Sequence, residues 1–579
     1  MSSAVHNVRA AGALLDALAE AGVRYVCMAP GSRSSPLVLA ADRHPDIVLR
    51  MVTDERSAAY FALGLAKACG KPVVVGCTSG TAIANFGPAV VEASLAHVPL
   101  VVLTADRPPE QHDLAAAQTI RQSGLFAHHA VWSIDAPVPD ASFDVETTFR
   151  TLGARLASTA QARQGPVHAN LPFREPLWDE TVDALLTETR TGDRPTVRVA
   201  AATSPPEPQA LAQLGARLGD CKRGLVIAGP RDIGTLDTDA AVRIAELLGW
   251  PILADGLSEL RPLVATNEYI FDTHEVLART ESTRNDLRPD AIIRLGGVPT
   301  SKLLGRLLAD WRVEPHVLLT ARSDWPDPNQ VATDIVRGDP SVSLRALTDA
   351  QVPASGRAWI DAWRSASARA RSVLDEAART QRFEGAVAHA VVSSLQAGDQ
   401  FVVGNSMPVR DLDLFASDLA PGVVTHANRG ANGIDGVTSM ALGVAAATGR
   451  QTVALIGDLS FAHDLSALQI AKRHAIDVTI VIPNNDGGGI FNFLPKPADG
   501  FEQLFATPHG LDLGAIVRAH GFAFEEVTDI DDLSATLSER PGGLRIVEIR
   551  IEREHNAQVR TATIAAAVAA VDAQSEAAA

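Results

Sequence analysis

Cysteine is scarce in this sequence, with 4 residues among 579, and no two of them form a CxxC pair or a zinc-type spacing. Cys27 and Cys77 lie in apolar, strand-like runs, which favours buried, unreactive thiols. No uncharged apolar stretch approaches roughly 18 residues, which argues against a transmembrane helix. The first twenty residues lack the apolar core of a signal peptide. We therefore expect a cytoplasmic protein with reduced thiols and no membrane insertion.

Basic residues are in deficit: 51 Lys and Arg stand against 68 Asp and Glu, for a net charge of −17. This balance argues against nucleic acid and against anionic membrane surfaces as partners. It leaves anionic small molecules open, because a few arginines in a cleft can override the global charge. At roughly 150 residues per domain, the length predicts three or four domains rather than one core.

An apolar strand, a glycine-rich turn and an Ala/Leu-rich helix recur along the chain. The first examples are the strands Tyr25–Ala29, Val48–Thr53, Val73–Cys77 and Leu100–Thr104. The alternation predicts an α/β protein of three doubly wound parallel-sheet domains, with functional loops at the carboxyl ends of the strands. The expected divisions are a first block (1–180), a linker (181–205), a central block (206–355), a connecting helix (356–381), a third block (382–560) and a tail (561–579). We expect the Ala-rich tail to be a frayed helix or disordered.

One segment of the third block predicts a metal site. A strand ends at Gly457-Asp458, and after an amphipathic helix, expected near 464–475, the next strand ends just before Asn485. Both strand ends lie at one edge of a parallel sheet, so Asp458 and Asn485 should meet although 27 residues separate them. With the carbonyl of Gly487 they offer oxygen ligands suited to Mg²⁺. Free N–H groups in the turn that starts at Ser460 could hold phosphate oxygens. The competing interpretation is a plain Rossmann-like turn with an aspartate helix cap.

This layout resembles the diphosphate-binding signature of thiamine-diphosphate enzymes, although Leu459 stands where many members have glycine. The resemblance implies thiamine diphosphate and Mg²⁺, or alternatively Mn²⁺, as cofactors. It also gives a catalytic role to Glu55, which would hydrogen-bond N1′ of the cofactor's aminopyrimidine and promote formation of the carbanion at C2. Taken alone, Glu55 is more typical of an acid in the first turn of a helix, where the helix dipole favours it.

Arginine-bearing strings narrow the resemblance to one family, the MenD-type synthases of menaquinone biosynthesis. The strings are PGSRSSPL (30–37), TDERSA (53–58), TSGTAIAN (78–85), LTADRPPE (103–110), QTIRQ (118–122), GNSMPVRD (404–411), ANRGANGIDG (427–436) and NNDGGGIFNFLP (484–495). The resemblance implies decarboxylation of 2-oxoglutarate on thiamine diphosphate. The resulting succinyl-semialdehyde carbanion would then add to isochorismate in a conjugate addition.

The resemblance also implies the residues of the site. Cofactor-binding positions would be Glu55, Ser406, Met407, Ile434, Gly457, Asp458, Leu459, Ser460, Asn485, Ile490 and Phe491. Substrate-binding positions would be Ser32, Arg33, Arg107, Gln118, Lys302, Arg410, Arg429, Phe491 and Leu494. Guanidinium groups suit the bidentate binding of carboxylates, yet any single arginine is often a solvated surface residue. Ordinary core packing competes for the apolar positions, and Leu303 stands beside Lys302 where some members carry arginine.

Three alternatives stay open at this point. Another thiamine enzyme, either an acetohydroxyacid synthase or a 2-oxoacid decarboxylase, would keep Glu55, Asp458 and Asn485. A nucleotide- or flavin-binding module is disfavoured because GPRDIG is not GxGxxG, and a serine hydrolase is disfavoured because neither GCTSG nor GNSMP is GxSxG. The resemblance further implies a homodimer or homotetramer, with the cofactor bridging the first block of one chain and the third block of its partner.

Overall fold

A computed structural model describes residues 2–182, 197, 199, 206–231, 236–349, 354–495 and 499–573. These residues form three six-stranded, wholly parallel sheets with helices between the strands. The prediction of three doubly wound α/β sheets is therefore confirmed. The expected linker, 181–205, lies almost entirely outside the described residues.

The first sheet has the strand order β2-β1-β3-β4-β6-β5. Its strands are β1 (Tyr25–Met28), β2 (Val48–Met51), β3 (Val73–Cys77), β4 (Leu100–Asp106), β5 (Trp132–Asp135) and β6 (Val167–Pro172). The helices of this block are Ser3–Glu20, Ser35–Asp42, Glu55–Cys69, Thr81–Ala84, Gly87–Leu95 and Val145–Arg163, with a 3-10 turn at Pro109–Gln111. The central strands β3, β4 and β6 are buried along their whole length, as a parallel sheet covered on both faces requires.

The second sheet has a different order, β12-β11-β10-β7-β8-β9, which is the dinucleotide-fold order. Its strands are β7 (Gly224–Ala228), β8 (Ile252–Ala254), β9 (Ile270–Phe271), β10 (Ala291–Leu295), β11 (His316–Thr320) and β12 (Asp334–Arg337). The helices are Pro208–Gly219, Thr238–Leu248, His274–Leu277, Glu281–Asp286, Lys302–Trp311 and Pro340–Asp349, with a 3-10 turn at Arg261–Leu263. The long helix Arg357–Thr380 follows and leads into the third sheet.

The third sheet repeats the strand order of the first, as β14-β13-β15-β16-β18-β17. Its strands are β13 (Gln400–Val403), β14 (Val424–His426), β15 (Thr452–Leu455), β16 (Val478–Asn484), β17 (Ala523–Val527) and β18 (Leu544–Arg550). The helices are Glu384–Ser394, Met407–Phe415, Val437–Thr448, Asp458–His463, Ala467–His474, Leu513–Ala519, Ile530–Ser538 and Arg553–Asp572, with shorter turns at Gly489–Phe493 and Glu502–Ala506. After β13 the chain adds β14 on one side and then β15 on the other, so the strand order reverses between β13 and β15. Ligands of open parallel sheets bind at such switch points.

The first and third blocks pack through two helices that touch backbone to backbone. A Cβ added to Gly64 would lie 2.1 Å from the carbonyl oxygen of Met440, and one added to Gly443 would lie 2.2 Å from that of Phe61. Only glycine allows this approach, so the helices Glu55–Cys69 and Val437–Thr448 share one buried apolar core. The two sheets are thus held in a fixed relation within one chain.

One expectation from the sequence is wrong. The Ala-rich tail is ordered as far as 573, because the helix Arg553–Asp572 buries Thr563, Ala567 and Val571; residues 574–579 lie outside the described part. The expected helix near 464–475 is present as Ala467–His474, and a further short helix, Asp458–His463, precedes it. Between the two helices, the carboxylate of Asp464 accepts a hydrogen bond from the backbone N–H of Ser439 (2.7 Å). Within the described residues, no helix is long and apolar enough to cross a membrane.

Candidate active site

The carboxyl edge of the third sheet brings Asp458 close to the turn that follows β16. Strands β15 and β16 are parallel neighbours, and each is followed directly by one of the predicted metal-binding segments. Asp458 is 2% exposed. Its Oδ1 accepts from the N–H of Leu459 (2.7 Å), and its Oδ2 accepts from the N–H of Gly487 (2.9 Å). Gly487 has φ +143°, a conformation that favours glycine, and it brings its backbone against the aspartate.

Asn485 offers an unused oxygen at the same edge. Its Nδ2 donates to Oε1 of Glu384 (2.5 Å), while its Oδ1 is buried and accepts no hydrogen bond from any residue that the structure describes. A buried carboxylate and an unpartnered amide oxygen are hard ligands of the kind that Mg²⁺ prefers. A buried polar atom without a partner is unfavourable unless a ligand satisfies it. The residues present therefore fit a divalent cation.

Sequence reasoning misses two residues beside this pair. His509 Nε2 lies 3.4 Å from Oδ2 of Asp458, and this carboxylate raises the pKa of the histidine. Glu384 lies behind Asn485, and burial, with a contribution from the nearby charge of Asp411, raises its pKa to about 8. Neither residue stands in a recognisable motif, so the sequence alone does not assign them to the site.

The turn after β15 also holds the segment that carries Ile434. The hydroxyl of Ser460 donates to the carbonyl oxygen of Ile434 (2.5 Å). Ile434, Ile490 and Phe491 are only partly buried, and Leu494 is 48% exposed. None of these four residues is fully buried in the core of the described chain. Met407, by contrast, is 5% exposed.

A cavity of about 1080 Å³ opens beside this edge, between the three blocks. Ser406, Ile434 and Ile490 line it, so it adjoins the turn after β13 and the predicted cofactor positions. Its lining includes the cationic side chains of Lys67, Arg231, Arg294, Lys302, Arg306, Arg322, Arg410 and Arg429. Among the described residues that line it there is no aspartate or glutamate. Four of these cations, Lys67, Arg231, Arg294 and Arg322, are paired with carboxylates behind the lining, whereas Arg410 and Arg429 donate to neutral oxygens. In a chain of net charge −17, these two guanidinium groups are suited to anionic ligands.

Arg410 and Arg429 are fixed in this cavity by backbone and amide oxygens. Arg429 Nη1 donates to Oδ1 of Asn405 (2.9 Å), and Arg410 Nη1 donates to the carbonyl oxygen of Ser406. Burial lowers the pKa of both guanidinium groups, which means that their charges are poorly solvated and would be stabilised by an anion. Ser406 adopts φ +70°, rare for a residue other than glycine, at the switch point of the sheet.

A second cluster of predicted residues lies at the carboxyl edge of the first sheet. Arg107 Nη1 donates to the hydroxyl of Ser79 and to the carbonyl oxygen of Gln118 (3.1 Å), and Gln118 Nε2 donates to the carbonyl oxygen of Ser79 (3.0 Å). Partial burial lowers the pKa of Arg107, and the positive charge of Arg33 lowers it further. Arg33 is 4% exposed and pairs with Glu175 (2.6 Å), so the structure brings both arginines together.

Glu55 and Ser32 belong to the same edge but make fewer contacts. Glu55 is the first residue of its helix and is partly buried. The side chain that caps this helix is that of Asp54, which accepts from the N–H of Ser57 (3.0 Å), so Glu55 is not required as the cap. Ser32 is exposed. Lys302, the predicted residue of the central block, lies in the cationic cavity.

The two clusters are not joined within one chain. We define the first-block cluster as Ser32, Arg33, Glu55, Arg107 and Gln118, and the third-block cluster as Ser406, Arg410, Arg429, Ile434, Asp458 and Asn485. Among the described residues, no hydrogen bond or ion pair links a member of one cluster to a member of the other. The helix that begins at Glu55 instead meets the third block through Arg56 Nη2, which donates to the carbonyl oxygen of His463 (2.7 Å).

Comparison with known proteins gives three family matches along the chain. Residues 8–125 match "Thiamine pyrophosphate enzyme, N-terminal TPP binding domain", residues 207–403 match "Middle domain of thiamine pyrophosphate", and residues 423–548 match "Thiamine pyrophosphate enzyme, C-terminal TPP binding domain". Thiamine pyrophosphate is another name for thiamine diphosphate. The two cofactor-binding matches fall on the sheets that carry the two clusters.

Relatives that match over nearly the whole chain narrow the family to which it is assigned. A protein from Geobacillus kaustophilus is 42% identical over 95% of this chain and 96% of its own length. A relative from Chloroflexus aurantiacus is 41% identical over 94% of this chain and 93% of its own length. One from Bacillus velezensis is 39% identical over 96% of this chain and 97% of its own length. All three are named 2-succinyl-5-enolpyruvyl-6-hydroxy-3-cyclohexene-1-carboxylate synthase. This chain therefore belongs to the 2-succinyl-5-enolpyruvyl-6-hydroxy-3-cyclohexene-1-carboxylate synthase family of thiamine-diphosphate-dependent enzymes.

Proposed function

We propose that this protein is a transferase that decarboxylates 2-oxoglutarate and adds the remaining four-carbon unit to isochorismate, yielding the product named in its relatives. The observation that carries the proposal is the acid-free, cationic cavity beside the turns that end β13 and β15. Both substrates are dianions at neutral pH. A chain of charge −17 needs such a local concentration of cations to bind them.

The two clusters divide the substrates between them. Arg410 and Arg429, with Lys302 at the cavity rim, would bind the carboxylates of 2-oxoglutarate, because they line the cavity next to Ser406 and Ile434. Arg33, Arg107, Gln118 and the exposed Ser32 would bind isochorismate. Guanidinium forks match carboxylates in both charge and shape. Phe491 and Leu494 would cover the reacting groups and limit the access of water.

Asp458, Asn485 and the carbonyl of Gly487 would hold Mg²⁺ or Mn²⁺, and the metal would neutralise the diphosphate. Gly457, Leu459, Ser460, Ser406 and Met407 surround that end of the cofactor in this proposal, and Ile434, Ile490 and Phe491 its thiazolium ring. When bound, thiamine diphosphate supplies a nucleophilic carbon and an electron sink for the decarboxylation. Glu55 would share a proton with N1′ of the pyrimidine.

The separation of the clusters supports a proposal for the assembly. Glu55 and Asp458 lie on different sheets, and no hydrogen bond or ion pair joins them among the described residues, yet both would have to reach one elongated cofactor. We propose that the first-block cluster of one protomer faces the third-block cluster of its partner. Two-fold symmetry then builds two equal sites from the same surfaces. The minimum unit is a homodimer, which could pair further into a homotetramer.

A cytoplasmic location is part of this proposal. The four cysteines are free thiols, and Cys27 and Cys77 are buried. Burial raises the pKa of Cys27 and Cys77 above the usual thiol range, so both are protected from oxidation. Thiols without disulfides support a reducing compartment.

The substrates can be tested by following isochorismate absorbance in the presence of thiamine diphosphate and Mg²⁺. We expect isochorismate to disappear only when 2-oxoglutarate is also present. Consumption of pyruvate in its place, without any use of isochorismate, would favour an acetohydroxyacid synthase or a 2-oxoacid decarboxylase instead. Protein-bound cofactor, measured by thiochrome fluorescence, separates every thiamine enzyme from other classes.

A further inference from the structure

The adjacent asparagines Asn484 and Asn485 make similar hydrogen bonds through the side-chain nitrogen but differ in the bonding of the side-chain oxygen. Each donates its amide N–H to a buried glutamate: Asn484 to Glu548, and Asn485 to Glu384 (2.5 Å). The oxygen of Asn484 is used, because it accepts from the N–H of Asp486 (2.9 Å). The oxygen of Asn485 is buried and has no partner among the described residues. Of the two, only Asn485 therefore presents a free ligand atom.

Glu384 is itself held in place. It is 3% exposed, begins the helix Glu384–Ser394, and its backbone N–H donates to Oδ1 of Asn556 (2.9 Å). A Cβ added to Gly489 would lie 2.5 Å from Nδ2 of Asn485 and 3.6 Å from Oε1 of Glu384. Glycine at that position leaves the space in which the amide lies. The asparagine is thus confined by a fixed acceptor and by a close backbone.

The two ends of an amide have nearly the same shape and differ only in whether they donate or accept. When Glu384 is ionised, as a divalent cation bound nearby favours, its Oε1 can only accept, so it holds Nδ2, and a reversed amide would place oxygen against oxygen at the same short distance. We propose that Glu384 is a positioning residue that turns the oxygen of Asn485 toward the metal. This inference rests on the proposed role of Asn485 as a metal ligand.

The test is Glu384→Gln, with Mn²⁺ as the probe. Glutamine offers both a donor and an acceptor, so it permits either orientation of the asparagine amide at nearly unchanged volume. Partners behind metal ligands typically contribute about 10- to 100-fold in metal affinity. In the presence of thiamine diphosphate, we expect the affinity for Mn²⁺ to fall about 10-fold or more. The electron paramagnetic resonance signal of free Mn²⁺ measures this affinity without any substrate or turnover.

Glu548→Gln is the matched control, since it makes the same chemical change under the neighbouring asparagine, whose oxygen is already used. We expect it to leave Mn²⁺ affinity unchanged, and an equal loss there would overturn the specific role of Glu384. Glu384→Gln should also have no further effect in an Asn485→Ala background. A further loss there would show that Glu384 does not act through Asn485.

Failure of the inference and failure of the metal assignment have different signatures. If Asn485→Ala binds Mn²⁺ as the wild type does, the assignment of Asn485 itself is wrong. If Asn485→Ala weakens binding but Glu384→Gln does not, only the positioning role is refuted. Should Glu384→Gln fail to fold, Gly489→Ala tests the same idea independently, because its methyl group would displace the amide and weaken Mn²⁺ binding. Wild-type affinity in that folded variant would contradict the inference.

Discussion

Replacing Arg107 with alanine should separate the two substrates. Arg107 is partly buried, is held by Ser79 and by the carbonyl oxygen of Gln118 (3.1 Å), and has its pKa lowered by burial and by the charge of Arg33. Arg33 already pairs with Glu175 (2.6 Å), so a substrate carboxylate would mainly stabilise Arg107. Arg107→Ala removes that group and leaves the substrate carboxylate underpaired.

The size of the effect follows from the burial of Arg107. Removing one partner of a buried, hydrogen-bonded charge pair costs about 2–5 kcal/mol, and partial solvent exposure places Arg107 at the lower end of that range. At roughly 2–3 kcal/mol, the KM for isochorismate should rise about 30- to 150-fold. The decarboxylation step needs no isochorismate, so it should be unchanged.

Two measurements check this separation. Steady-state kinetics give the KM for isochorismate, and single-turnover CO₂ release from 2-oxoglutarate, without isochorismate, reports the first step alone. Equal loss of both steps in Arg107→Ala would mean that Arg107 maintains the fold of the site rather than binding isochorismate.

Arg121→Ala is the matched control for this experiment. Arg121 follows Gln118 by three positions in the same loop, and its side chain is 85% exposed. It pairs with the exposed Asp113 (3.4 Å), which belongs to neither cluster. Both steps should therefore stay at wild-type rates in this variant, and a raised KM for isochorismate would show that removing any positive charge from this loop has the same effect.

Asp458→Ala should abolish Mg²⁺-dependent binding of thiamine diphosphate in calorimetric titrations, because the diphosphate loses the ion that neutralises it; unchanged affinity would remove Asp458 from the metal site. Glu55→Gln should keep cofactor binding but lose turnover by a factor of order 10² or more, whereas full activity would leave Glu55 as a helix-start acid only. Mixing these two inactive variants should restore part of the activity, since mixed dimers carry one intact site. No recovery, despite subunit exchange proven by mass spectrometry, would place both residues in a site within one chain.

The meeting of Asp458 with the turn after β16 can be predicted because it depends on local topology. Two consecutive parallel strands joined by helices end at the same edge of the sheet, whatever the rest of the chain does. The N–H of Gly487 donates to Asp458 (2.9 Å) across 29 positions, as that rule requires. Buried strands and glycine turns are strong signals in a single sequence, so the sheets are equally predictable.

The residues that hold the site residues in place cannot be predicted in the same way. Glu384 meets Asn485 across 101 positions. Glu92 accepts from the N–H groups of Gly430 (2.9 Å) and Ala431 (2.7 Å) across 338 and 339 positions. Such contacts depend on how whole blocks pack, and no spacing along the chain records them. A buried acid in an apolar helix is the one available signal, and it does not name its partner.

The C-terminal helix differs from its prediction for a related reason. Its small residues give a weak amphipathic pattern, so composition alone suggests a frayed end. In the structure Ala567 and Val571 are buried in the core that also contains Trp363 and Leu374 of the helix Arg357–Thr380. Most helical stability in proteins comes from such tertiary packing rather than from intrinsic propensity.

The most direct test of the proposed function is the mass balance of a single reaction. The purified protein, with thiamine diphosphate and Mg²⁺, is given 2-oxoglutarate and isochorismate, and CO₂ and the product are quantified together by mass spectrometry. We predict one CO₂ released for each isochorismate consumed, and a product whose mass is the sum of the two substrates less CO₂. Release of CO₂ without consumption of isochorismate, or a product built from two molecules of a 2-oxoacid, would contradict the proposed function.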